Sequence, residues 1–206
     1  MLKLFYAPNT CSLASHIALE EAGADYQAVR VDFPAGEQRT AAYLAINPKG
    51  RVPALVTDQG IITETPAILA YIAQTHPAAG LAPFDDPMTF AQAQAFNSYL
   101  CSTVHVAHAH GPRGMRWADD PGALAELKRK VPETMAAAFQ LIEDGMIAGP
   151  FVLGDRFSIC DPYLFTMSNW LEADGVDPAR FPRVLAHREA IRARPAVRKV
   201  LAVVAT

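Results

Sequence analysis

The chain is poor in cysteine, in net positive charge and in long apolar runs. Its three cysteines, at positions 11, 101 and 160, are odd in number and far apart, which excludes a disulfide framework and the paired spacing of a structural zinc site. No apolar stretch approaches the ~20 residues of a membrane span, and no charged start with a cleavable apolar core stands at the N-terminus, so a cytoplasmic location without a membrane partner is expected. A formal net charge of -3 argues against general nucleic-acid binding. The basic tract near the C-terminus sets Arg183, Arg188, Arg192, Arg194 and Arg198 against the one acid Glu189. It reads as a solvated helix face or as a site for a partner or anion.

What is present is a 206-residue chain, half of it hydrophobic, long enough for two small domains. Residues 2–6 and 27–31 read as strands around a helix from Ser12 to Ala22 that Gly23 stops. A helix over 40–46 runs into the turn Asn47-Pro48-Lys49-Gly50, and 52–56 with 61–63 form a hairpin around Asp58-Gln59-Gly60. A helix from Pro66 to Thr75 completes an α/β unit over 1–78. A Pro/Gly-rich linker over 79–86 follows, and 87–206 carries helical periodicity with no convincing strand. Helices are expected over 87–110, 121–145, 182–193 and 195–204. Another opens at Ser158-Ile159-Cys160-Asp161, which has the form of a capping box with Asp in place of Glu.

Four features carry chemistry. Cys11 follows a Pro/Asn/Thr turn at a helix start, where unpaired N–H groups and the macrodipole favour the thiolate, and Ala14 stands where a thioredoxin-type resolving cysteine would be. Val52-Pro53 is either an ordinary edge-strand proline or a cis bond that turns the Val52 peptide toward an extended ligand. Thr63-Glu64-Thr65-Pro66 places an N-cap threonine and a first-turn proline beside a carboxylate. That pair suits a zwitterionic α-amino-acid end, or is simply a cap next to a solvated Glu. Cys101, His105 and His108 share one helix face; an acid, base or hydrogen-bond role for an imidazole near Cys11 competes there with packing, and no fourth ligand is evident for a metal.

Taken in order, Leu-Phe-Tyr-x-Pro-x-x-Cys-Ser-Leu-Ala-Ser-His at 4–16, Asn47-Pro48-Lys49-Gly50-x-Val52-Pro53-Ala54-Leu55, Glu64-Thr65 and Ser158-Ile159-Cys160-Asp161 resemble the glutathione transferases, in particular the bacterial beta class. The resemblance spans nearly the whole chain. It implies a thioredoxin-like α/β domain, an all-α second domain, a cytosolic homodimer, glutathione as co-substrate and no metal. Position by position, it makes Cys11 and His105 catalytic, with Cys11 a contact and redox neighbour of the glutathione sulfur. Val52 with the cis Pro53 would meet the cysteinyl backbone, and Glu64 with Thr65 the γ-glutamyl end. Ser98 and Ser102 join the glutathione site from the long helix, Ser98 standing where the class has Asn. Tyr6, His108, Tyr163 and Trp170 would line the electrophile pocket.

The segment 33–38 lacks the lysine that relatives place by the glycyl carboxylate, so either glutathione is expected to bind more weakly or Arg39, Lys49 or Arg51 to substitute. The function implied is attack of the glutathione thiolate on small hydrophobic electrophiles. The alternatives are a thiol-disulfide reductase working through a Cys11 mixed disulfide, and a binding protein for hydrophobic compounds. A zeta-type isomerase is disfavoured, because that class resembles a Ser-Ser-Cys start and this chain has Asn9-Thr10-Cys11.

Overall fold

The computed structural model describes residues 1–205, so Thr206, the last residue of the expected second domain, lies outside the described residues. The first half is a four-stranded sheet in the order β2-β1-β3-β4, with β1 Leu2–Tyr6, β2 Tyr26–Arg30, β3 Ala54–Thr57 and β4 Gly60–Thr63. β1 pairs in parallel with β2 and antiparallel with β3, with Leu4 opposite both Ala28 and Leu55. The parallel pair needs a crossover, which α1 (Ser12–Glu21) supplies. Gly23, at φ +63, then turns the chain back, as expected for a glycine just past a helix end.

The hairpin strand is shorter than its sequence pattern. Val52 and Pro53 precede β3 rather than begin it, and the bond between them is cis. The expected 40–46 helix is likewise only α2, Ala41–Leu44, capped by the Thr40 hydroxyl and preceded by a 3-10 turn at Glu37–Arg39. α3 (Thr65–Thr75) packs Ile68, Leu69 and Ile72 into the core, as the periodicity indicated. Its start differs from the sequence reading. Thr65 is the first helical residue and Glu64 occupies the capping position at φ 74, with the Glu64 carbonyl accepting from the Ile68 N–H at 3.0 Å.

The second half is helical among the described residues, apart from a single β-bridge between Phe151 and Gly154. The long helix predicted over 87–110 is interrupted. α4 (Pro87–Tyr99) passes through π-helical turns at Leu100–Val104 into α5 (His105–Ala109). Such a bulge re-aims the side chains that follow it and is frequent at functional sites. α6 (Pro121–Leu141) also ends in π turns, at Ile142–Met146, and α7 (Cys160–Ser168), α8 (Pro182–Arg192) and α9 (Pro195–Val204) follow.

α1 packs on α7 and α9, so one apolar core runs from Leu4 and Leu55 through Leu100 to Phe139 and Tyr163. No helix among the described residues is long and apolar enough to cross a membrane.

The Ser158–Asp161 box closes as its sequence indicates. Asp161 is fully buried and accepts from the Ser158 N–H at 2.6 Å, the Ser158 hydroxyl at 3.0 Å and the Val152 N–H at 2.8 Å, and lies 2.9 Å from His187 Nε2. The arginine tract is only in part a solvated face: Arg183, Arg192 and Arg198 are exposed, but several of its arginines are engaged by the fold. Arg188 is buried and donates to the Ser168 carbonyl and Glu172, while Arg183 binds the Glu143 and Ile147 carbonyls. Arg194 reaches back to Glu21 on α1 through two bonds of 2.6 and 2.7 Å. These acids are too distant in sequence for local charge counting to pair them with the arginines.

Candidate functional site

Between the two halves lies a cleft of about 600 Å³ that brings together Cys11, Val52, Pro53, Glu64, Thr65, His105 and Tyr163. Each is held by a local device. The loop before α1 is knotted by hydroxyls: the Thr10 hydroxyl donates to the Ala7 carbonyl at 2.8 Å, and Ser12 Oγ lies 2.7 Å from it and accepts from the Ala7 N–H. Asn9 takes the left-handed turn at φ 55, which its short polar side chain tolerates.

On the facing loop, Tyr43 and Asn47 both donate to the Arg51 carbonyl at 2.7 Å, fixing the peptide that leads into Val52. Gly50 sits at φ +60, and a Cβ there would come within 3.1 Å of the Gln38 carbonyl, so this turn requires glycine. The Val52 carbonyl accepts from Cys11 Sγ at 3.5 Å, and among the described residues the Val52 N–H has no partner.

This geometry corrects the expected state of Cys11. Burial pushes its thiol up to about 11, against weaker pulls from the Thr65 hydroxyl and the positive charge of Arg113. The sulfur donates to a carbonyl, an arrangement that favours S–H over the thiolate, and although Cys11 holds the N-cap position of α1 and lines the cleft it is buried against the apolar core. The helix start alone is therefore a poor guide to reactivity at this position.

Burial holds His105 neutral, down to about 4, reinforced by Arg113, His108, Arg116 and Arg51. It is a hydrogen-bonding group at neutral pH, not an imidazolium acid. Glu64 pairs with Lys49 at 2.6 Å, and Lys49 also donates to the Thr63 hydroxyl at 2.7 Å. Thr65, which does not cap α3, keeps its hydroxyl for the Cys11 sulfur.

Five of the expected site residues do not line the cleft. Tyr6 is buried against the His16 ring at 5.1 Å, and Ser98 and Ser102 are exposed, the Ser102 hydroxyl donating to the Ser98 carbonyl at 2.8 Å. His108 stacks on Trp170 at 4.1 Å and binds both oxygens of Asp174 at 2.8–2.9 Å. His105, three residues earlier in α5, packs on the same Trp170 ring at 5.1 Å, but only His105 reaches the cleft. Among the described residues no three His, Cys, Asp or Glu side chains gather as a metal site.

In place of those five stand residues the sequence reading passed over. Arg113, Met115, Arg116 and Trp117 line the cleft from the turn that follows α5. In the sequence, Gly111-Pro112-Arg113-Gly114 carries Gly/Pro turn chemistry just past the expected helix end at 110, which masks the arginine. The signal available was two arginines immediately after a helix face bearing Cys101 and His105.

A thioredoxin-like sheet joined to a helical domain, with a buried cysteine, a cis-proline loop and an acid–hydroxyl pair converging on one cleft, is the architecture of the glutathione S-transferase fold. Residues 1–74 match the family model described as glutathione S-transferase, N-terminal domain. The chain is 32% identical over 203 residues to glutathione S-transferase GstA of Escherichia coli O157:H7, covering 97% of both chains. It is also 32% identical over 205 residues to a maleylacetoacetate isomerase of Pseudomonas aeruginosa, covering 96% of this chain and 94% of that one. A glutathione transferase homologue from Sulfitobacter, solved with bound glutathione, superposes with a TM-score of 0.95 at 49% identity, covering 98% and 97%. The chain belongs to the glutathione S-transferase family.

Proposed function

We propose that the protein is a glutathione transferase that binds glutathione in this cleft and activates its sulfur for attack on an electrophile. The observation that carries the reading is the convergence on one cleft of the unpaired Val52 N–H, the Glu64 carboxylate, Thr65 at the start of α3 and the Cys11 sulfur. Val52 would pair with the cysteinyl backbone, as an extended peptide adds to a free edge. Glu64 would take the γ-glutamyl ammonium while the start of α3 receives the adjoining carboxylate.

The Cys11 thiol and the neutral His105 supply hydrogen-bond donors for an incoming thiolate. Arg51, on the thioredoxin-like wall, adds positive potential beside His105 where that charge develops. A Cys11 that is itself a thiol at neutral pH supports glutathione as nucleophile over a turnover begun by Cys11.

The test is conjugation of glutathione to 1-chloro-2,4-dinitrobenzene by the wild type and by Glu64→Gln. The substitution keeps shape and removes the charge that holds the ammonium. The KM for glutathione should rise about tenfold, the loss of one charge-assisted hydrogen bond, with kcat little changed. Stability should hold, because the Lys49–Glu64 pair is exposed on both sides. Background rates together with no calorimetric binding of glutathione would overturn the reading.

A further inference from the structure

We infer that the cleft holds a second anion site, built by Arg113 and Arg116 of the helical domain beside the sulfur position, and that the electrophile it takes carries a carboxylate. This rests on the transferase reading above and names its substrate class.

The argument begins with charge. Five cationic side chains line the cleft, Arg39, Lys49, Arg51, Arg113 and Arg116, against the one carboxylate of Glu64. Glutathione with an ionised thiol brings three negative groups and one ammonium. It therefore neutralises only half of that excess and leaves two positive charges without a counterpart. Among the described residues none of the four arginine side chains has an ion pair or hydrogen bond, in contrast to Arg183, Arg188 and Arg194, which are all engaged. Holding unpaired cations together in one cleft costs energy through mutual repulsion, and such clefts concentrate anions.

Placement then separates the arginines. Arg39, Lys49 and Arg51 lie on the thioredoxin-like half, where the carboxylates of a bound tripeptide fall. Arg113 and Arg116 come from the opposite wall, on the turn that follows α5, and with Arg51 they act electrostatically on His105, Arg113 acting on Cys11 as well. They line the same cleft as Cys11 and His105, on the wall opposite the tripeptide's, which is the side an electrophile has to approach from.

Their turn is held by backbone bonds and close packing. Arg113 N–H donates to the Ala109 carbonyl at 2.9 Å and Arg116 N–H to the Arg113 carbonyl at 3.0 Å, and Gly114 between them packs so tightly that a Cβ would meet Leu124 of α6 at 3.1 Å. Met115 and Trp117 flank the arginines with apolar surface. Guanidinium forks beside an aromatic ring suit an aryl or unsaturated carboxylic acid.

The matched probes are 4-chloro-3,5-dinitrobenzoate and its neutral carboxamide. In both, the glutathione sulfur bonds to the ring carbon, the carbon–chlorine bond breaks, chloride leaves with the electron pair, and the thiol proton passes to solvent. With kcat/KM divided by each uncatalysed rate constant, the wild type should prefer the acid by about tenfold or more. Arg113→Gln/Arg116→Gln should abolish that preference while the KM for glutathione stays within about twofold. A wild type without preference, or a double variant that keeps the preference and loses glutathione affinity instead, overturns the inference and assigns these arginines to the tripeptide.

If neither probe is turned over, the transferase reading fails. Calorimetry with the two preformed S-aryl glutathione conjugates then decides the anion site on its own: tighter binding of the carboxylate conjugate supports it, and equal affinity or no binding overturns it.

Discussion

Alkylation of Cys11 offers the sharpest test of how the site works, because geometry and helix position predict opposite results. With its thiol pushed up from 9.0 to about 11 by burial, the thiolate fraction at neutral pH falls by about two orders of magnitude. The more basic thiolate is intrinsically the better nucleophile, and a Brønsted slope near ~0.45 returns about one order. The net rate with iodoacetamide should therefore be at least about tenfold below that of an unperturbed cysteine, before steric exclusion adds to it.

The assay follows loss of the Cys11-containing peptide by mass spectrometry from about pH 6 to about pH 10, with Thr65→Val alongside. The rate should climb through the whole range without levelling, and more slowly still in the variant, which loses the hydroxyl that pulls the thiol down. A plateau below about pH 8 would mean a stabilised thiolate. It would refute the reasoning from burial and restore the helix start as the controlling influence.

Two further perturbations test what supports the site. Asp161→Ala strands the Ser158 and Val152 N–H donors and a fully buried His187, and should cost about 3–5 kcal/mol in urea unfolding. Ser158→Ala removes only a hydroxyl and should cost about 1 kcal/mol; equal losses would show that the buried carboxylate is not the keystone. His16, wedged between Tyr6 and Tyr26 with Nδ1 unpartnered, is held neutral by burial, down to about 4. The unfolded chain binds the proton first, so stability falls as pH drops from about 6.5 toward 4, by about 2 kcal/mol at pH 5 from this group. His16→Phe should flatten that part of the stability–pH curve relative to wild type, and parallel curves would refute the assignment.

The fold was legible because its signals are local. Gly23, Gly50 and Pro66 punctuate, Leu4 and Leu55 alternate inward, Ile68, Leu69 and Ile72 recur at helical spacing, and Ser158 and Asp161 cap one turn with each other. What escaped depends on contacts between distant parts of the chain. Nothing within residues 87–110 announces the π turns at Leu100–Val104, which form where this helix is shared between α6, α7 and the cleft. Arg188 and Arg194 depart from the solvated face that Arg192 and Arg198 keep, because Glu172 and Glu21 reach them only through the fold.

The site divides along the same line. Residues named from contiguous motifs, Cys11, Val52, Pro53, Glu64 and Thr65, meet in the cleft because each motif carries its own turn geometry to the same edge of the sheet. Residues placed by the resemblance outside those motifs fared differently. His105 and Tyr163 face the cleft, while Ser98, Ser102, His108 and Trp170 do not, since a helix face points where its neighbours let it. The protonation of Cys11 follows the same logic. The backbone around it would favour a thiolate, but the Val52 carbonyl and the apolar residues enclosing the sulfur come from elsewhere in the chain, and burial outweighs the helix start. A cleft that keeps its own cysteine protonated while lining itself with unpaired arginines is arranged for charge that arrives with its ligands, first on the tripeptide and then on the electrophile.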